Sequence, residues 1–401
     1  MAISKKATEF AGLPVIDYHP AVGLVLPLMT RREFRKEGEK GTWAIRLEGN
    51  RLAVGSGAGK AHPTPEAAQA EYRRLIAEKA KDGWEERRAA GGSLREQFIN
   101  AIQADPADAA SRNAFLDYLS EQGETLPAAA YRVECEGYDE EPALPRLRSL
   151  LDDPAAGLVQ ALVIGWWGPE SDSDSDEIVA AMIEARDRLP NLRAVFLGDI
   201  PYSDNEISWT QQGDLTDLLL AFPHLEQFRS RGSMTLRKFK HVGLKSLALE
   251  ASNLSREVVK TLGTCDLPAL EHLEVWLGTS SYGADTEPGD LKGILQGKGL
   301  PSLRSLALRN SEIADAVAAA LAKAPVMDRI RGLDLSLGTL GDEGAEALLK
   351  NPKVAKLEKL DISHHYVSEP LIERLKGLGI EVVAERADHG DAEDRYVAHA
   401  E

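Results

Sequence analysis

Between residue 157 and the C-terminal region the chain repeats one short pattern, Leu-x-x-Leu-x-Leu with conservative exchanges. It reads Val159/Leu162/Ile164, Leu192/Val195/Leu197, and Leu225/Phe228, where Ser230 stands in the third place. It continues as Leu244/Leu247/Leu249, Leu270/Leu273/Val275, Leu303/Leu306/Leu308, Ile330/Leu333/Leu335 and Leu357/Leu360/Ile362. The first anchors are 33, 33, 19, 26, 33, 27 and 27 residues apart. A fixed period of this length means stacked units, each too small to bury its own apolar face. Alternate leucines give a short strand with one buried side. Helical patterns follow at 176–189, 214–222, 255–263, 315–324 and 342–351. Strand, turn, helix and turn fill such a period and place parallel strands on one side with helices on the other. We therefore expect an α/β solenoid over 157–385, with a curved parallel sheet inside and helices outside. The 19-residue step leaves no room for a full helix and predicts an irregular return through Gly232 and Gly243.

These residues resemble the leucine-rich repeat family, in its ribonuclease-inhibitor-like class. Ile330 to Leu349 carries the resemblance best, with Leu333-Asp-Leu335 leading into a helical return from Gly341 to Leu349. The asparagine that the family often sets after the strand is clear only at Asn310. The resemblance implies a protein-binding concave face.

Earlier segments read differently. Residues 31–90 alternate as a small sheet, Trp43-Ala-Ile-Arg-Leu47 and Arg51-Leu-Ala-Val54, and then start a helix at Thr64-Pro65-Glu66 with a cap and a first-turn proline. This stretch resembles a WGR domain, a small α+β module. The triplet that names the module falls on Val54-Gly55-Ser56, so both side chains that would meet nucleic acid are replaced. Residues 91–135 read as a helical pair, with Phe98, Ile102, Phe115 and Leu119 at helical spacing, and resemble a repeat-companion domain that caps the array through Ala101-Ile-Gln-Ala-Asp-Pro106 and Phe115-Leu-Asp-Tyr-Leu-Ser-Glu-Gln-Gly123. Residues 136–156 read as a linker, 1–30 as an N-terminal segment and 386–401 as a C-terminal tail. The segments Phe10 to Ile16 and Asp394 to Ala398 resemble the ends of a bacterial leucine-rich-repeat family. Both are expected to be ordered, with Tyr396 and Val397 packed near the end of the array.

Charge separates the parts. The chain carries −17 in all, yet residues 1–90 hold 16 Lys and Arg against 12 Asp and Glu. An acidic body disfavours nucleic acid, whereas Arg31, Arg32, Arg35, Lys36, Arg73 and Arg74 keep open a contact through the first module. Two distant cysteines, Cys135 and Cys265, and no secretory or membrane-spanning segment suit the cytoplasm.

Catalytic and metal motifs fail on inspection. Gly55-Ser-Gly-Ala-Gly-Lys60 lacks the Walker spacing, with Val54 ahead of it and Ala61 behind. The acidic run 170–177 lacks the glycine and glutamate of a calcium loop. His364 and His365 point to opposite faces of a strand. We expect no enzyme, no cofactor and no metal. The remaining candidate is the outward column of the sheet, where aromatic side chains sit beside arginines, the types that dominate binding hot spots. Phe196, Arg229, Arg231, Glu274, Trp276, Arg309, Asp334 and Asp361 are the expected partner-binding residues. Of Trp166 and Trp167, one is expected in the core and one at the surface.

Overall fold

A computed structural model describes residues 6–18, 24, 31–36, 43–48, 51–55, 60–61, 130–135, 142–168, 174–201, 205–388 and 393–400, with scattered positions in 71–86 and 97–118. The fold is α/β, built on a twelve-stranded sheet. Two N-terminal strands, β1 (Glu9–Phe10) and β2 (Leu13–Asp17), belong to it. A separate five-stranded antiparallel sheet comprises β3 (Arg31–Arg35), β4 (Trp43–Glu48), β5 (Arg51–Val54), β6 (Lys60–Ala61) and β7 (Glu85–Glu86), in the order β6-β5-β4-β3-β7.

The large sheet continues through β8 (Ala130–Val133), β9 (Ala161–Ile164) and β10 (Ala194–Leu197). Beyond a small side sheet of β11 (Gln211–Asp214) and β13 (Ser233–Thr235), its next members are β12 (Gln227–Arg231), β14 (Ser246–Glu250) and β15 (His272–Gly278). It ends with β16 (Ser305–Ser311), β17 (Gly332–Asp334), β18 (Lys359–Asp361) and β19 (Glu381–Val383). From β2 onward every pair is parallel and in sequence order, so each connection must cross over. The crossovers carry α1 (Ala143–Asp152), α2 (Asp176–Glu184), α3 (Thr216–Ala221), α4 (Arg256–Leu262), α5 (Lys292–Gln296), α6 (Ala314–Leu321), α7 (Asp342–Lys350) and α8 (Glu369–Lys376).

Register turns the sequence pattern into a core. Tyr131, Leu162, Val195, Phe228, Leu247, Leu273, Leu306, Leu333 and Leu360 lie in one row across the paired strands. All are buried, and they share a cluster with apolar residues of every helix. Local chemistry sets the helix ends. Ser255 caps α4 by accepting the Glu257 amide at 3.2 Å, and Glu257 adds negative charge to the first turn. Gly263 after α4 and Gly293 in α5 face each other so closely that a Cβ on either would strike the other's backbone. The short step between Leu225 and Leu244 carries no helix; β13 and the turn at Gly232 (φ 120°) occupy it.

Three expectations need correction. Residues 143–152 are a helix with Leu147, Leu150 and Leu151 in the core, not linker. Pro142 and Pro145 misled, because both sit at its start, where no amide partner is lost. Residues 130–133 lie in a strand inside the expected helical cap, and of that cap only positions such as Phe98, Phe115 and Tyr118, packed against the main core, are described. Trp166 and Trp167 are both buried, 7% and 9% exposed. No described helix is long and apolar enough to cross a membrane.

Candidate functional site

The face opposite the helices carries the side chains that alternate with the leucines. One row holds Phe196, Arg229, Ala248, Glu274, Ala307, Asp334 and Asp361, and the next holds Arg231, Glu250, Trp276 and Arg309. Strand register therefore brings all eight expected residues onto one face. Seven of them, all but Asp361, join with Glu250 into two charge clusters.

In the first cluster Glu250, wholly buried, takes the Arg229 Nε on one oxygen at 2.5 Å and the Arg231 Nε on the other at 2.8 Å. Both guanidinium groups lie over the Phe196 ring, 5.1 and 5.6 Å from its centre, a cation–π arrangement. In the second, Glu274 accepts from the Trp276 indole at 2.7 Å and from Arg309 at 2.7 Å, with His272 3.6 Å from its other oxygen. Burial alone would raise the Glu274 carboxyl, but the neighbouring His272 imidazole, the Arg309 charge and the indole N–H outweigh it and hold it well below the usual carboxylate range. Arg309 also binds the Ser336 hydroxyl at 2.9 Å and lies 3.3 Å from Asp334. Asp334 moves the other way: burial raises it more than Arg309 and Ser336 lower it. Asp334 and Asp361 each accept the amide two residues on, from Ser336 at 2.8 Å and Ser363 at 3.0 Å, which fixes successive turns alike.

The two aromatic anchors are not exposed, which corrects the sequence reading. Phe196 is 2% and Trp276 6% accessible, and the chain's own ends cover them. Three strand spacings of about 4.8 Å separate β2 from β10. Yet the Phe10 ring on β1 sits 5.7 Å from that of Phe196, so β1 folds back across the face while β2 extends the edge beside β8. Phe10, Ala7, Ala11 and Leu13 close a small apolar cluster over Ala161, Val163, Ala194 and Phe196. The Ala7 amide donates to Asp199 at 2.9 Å, and Arg132 pairs with the same buried carboxylate. At the other end the tail crosses β15 and β16, and His399 stacks on Trp276 with ring centres 5.1 Å apart. Val397 is buried as expected, whereas the Tyr396 side chain is half exposed.

What stays open is the belt between these covers. The Arg229 and His272 side chains are each 36% exposed and Asp334 is 26% exposed. Of the belt's carboxylates, Glu250, Glu274 and Asp334 each lie against an arginine. No group of three described His, Cys, Asp or Glu residues is placed to hold a metal. His365 is buried while His364 turns toward the tail.

Sequence reasoning underrated Glu250, Asn310, Asp199 and His399. Glu250 had a visible signal, since its strand register sets it beside Arg231; Asp199 and His399 gain their roles only through the path of the termini. In the first module, Arg74 is bound to Glu71 and Glu78. Arg73 and the side chains of Arg31, Arg32 and Arg35 lie outside the described residues.

No family model and no curated protein matches the chain. Among solved structures, it is similar to the crystal structure of a Bacteroides fragilis protein determined as a structural-genomics target. The TM-score is 0.63 at 23% identity, over 92% of this chain and 100% of that one. The likeness is one of fold.

Proposed function

We propose that this is a non-enzymatic interaction scaffold, a leucine-rich-repeat solenoid whose concave face docks a protein partner. The charged belt carries the reading: six strands, β12 and β14 to β18, hold Arg229, Arg231, Glu250, Glu274, Arg309, Asp334 and Asp361 in register on one face. Arginines exceed carboxylates at the Arg229 end, and carboxylates exceed arginines at the Asp361 end. Such a dipolar strip selects a partner carrying the opposite order of charge and steers its approach. In this reading the five-stranded sheet is the WGR-like module, and the protein works in the cytoplasm with its two buried cysteines outside any disulfide. Nucleic-acid binding through that module draws no support from Arg74, whose charge is met by two glutamates.

Reversing the strip tests the proposal. The full-length double variant Arg229→Glu/Asp361→Lys should recover at least tenfold less of the strongest partner co-purified from native cells. Lys292→Glu, on the helix side, should recover it normally. Equal recovery by all three proteins would refute docking at the belt.

A further inference from the structure

The tail is held in a manner suited to an extended peptide. Asn310, fully buried, uses both ends of its amide on one residue: its Nδ2 donates to the His399 carbonyl at 2.7 Å, and its Oδ1 accepts the His399 amide at 3.0 Å. The Leu337 carbonyl accepts the Ala398 amide at 2.8 Å. The Tyr366 hydroxyl accepts the Tyr396 amide at 3.0 Å, and the His364 Nε2 lies 3.0 Å from the Tyr396 carbonyl. These contacts read backbone, not side chains. Two side chains add selectivity. Arg395 binds Asp315 at 2.8 Å and the Thr339 carbonyl at 3.1 Å, and the His399 ring lies on Trp276 at an interplanar angle of 20°.

The backbone of the seat is independently unusual. Asn310, Leu337 and His364 have φ of 48°, 66° and 61°, the left-handed region that side chains rarely adopt. They are spaced by 27 residues, one per unit, and each supplies a contact to the tail. The glycines that follow β10 and β12, Gly198 and Gly232, and Gly278 at the end of β15 also have positive φ, which glycine adopts freely. A row of strained non-glycine residues converging on one ligand marks a functional site.

We infer that the seat under residues 395–399 is a recognition groove for an extended peptide bearing an arginine and, four residues on, a planar ring, with the chain's own tail as resident occupant. The inference rests on the docking reading above and names the chemistry of the partner. A partner segment of that kind displaces the tail and gains the same backbone contacts, a form of peptide capture by fixed main-chain donors and acceptors.

Acid should loosen the resident tail. Burial lowers the His399 imidazole to about 4, and the charges of Arg231 on β12, Arg309 on β16 and His364 beyond β18 add to this. Glu250 and Glu274 also lie on this face, but each is engaged by arginine. A depressed histidine favours the docked state fully above about 6.5, and that advantage is lost as pH falls toward 4. Between pH 7.5 and 5 the linkage amounts to about 25-fold in docking.

A fluorescein-labelled peptide of residues 394–401, titrated by polarisation, tests the groove. It should bind full-length His399→Ala at least tenfold more tightly than the wild-type protein, whose intact tail competes. With the His399→Ala protein, a peptide carrying Phe in place of His399 should bind without pH dependence. The native peptide should weaken about 25-fold from pH 7.5 to 5, and an Arg395→Ala peptide about tenfold. Equal binding to wild type and His399→Ala, with circular dichroism unchanged, would overturn the proposal. So would undiminished binding to Asn310→Ala/His399→Ala. Peptide binding with normal partner recovery by the charge-reversed belt would count against belt docking alone; partner loss there without peptide binding would count against the groove alone.

Discussion

Removing the Glu250 carboxylate should be among the costliest single changes on the sheet face. Its side chain is fully buried, and its two oxygens meet Arg229 and Arg231. Each contact is worth about 4 kcal/mol of Coulomb energy at 4 Å and an effective dielectric constant of 20. Most of that is offset by desolvation, and breaking a buried pair from one side costs about 3–5 kcal/mol. Arg229, 36% exposed, can turn to water, whereas Arg231 at 15% keeps most of its burial. Glu250→Gln keeps one oxygen acceptor for one arginine and sets an amide N–H against the other, so the low end applies, about 3 kcal/mol. With a urea slope near 3 kcal/mol/M, the midpoint should fall by about 1 M in a denaturation followed by circular dichroism. Glu226→Gln, which removes a solvent-exposed pair with Lys245, should cost under about 0.5 kcal/mol. A Glu250→Gln midpoint within about 0.2 M of wild type would refute the claim that this ion triad holds the face together.

Acid stability should report Glu274. Its carboxyl is depressed in the native state, so its contribution is complete above about 4.5 and is lost as pH falls below. Glu274→Gln should give a flatter urea-midpoint profile between pH 5 and 2, and an unchanged slope would exclude that carboxylate as a source of acid lability. Gly278 (φ 80°) and Gly379 (φ 79°) share a conformation, but only at Gly278 would a Cβ strike the Ser252 carbonyl. Gly379→Ala should cost about 1 kcal/mol and Gly278→Ala at least about 2 kcal/mol more by the same measurement; equal losses would show that space at Gly278 is not limiting.

The sheet was legible because one period-two alternation fixed both strand position and facing. Leu162, Val195, Phe228 and their successors pair across strands as the spacing required. The same alternation placed Arg229, Arg231 and Arg309 correctly on the other side. It could not tell that Phe196 and Trp276 are covered, because facing outward from a strand says nothing about a distant segment that folds over it. Their lids, Phe10 and His399, lie about 190 and 120 residues away in sequence, in stretches too short to carry a period. The helix at 143–152 was hidden for another reason. Its prolines and acidic approach spell a loop, and only Leu147, Leu150 and Leu151 betray helical spacing.

Ala7 and His399 rest on the same side of the sheet, the side that bears the arginine–carboxylate strip. A tag or fusion domain attached beside either of these segments is therefore tethered next to the proposed docking strip and can screen it from visitors. Baits for interaction screens are better built with the handle in a helix-side loop, such as the turn at Gly379, which points into open space.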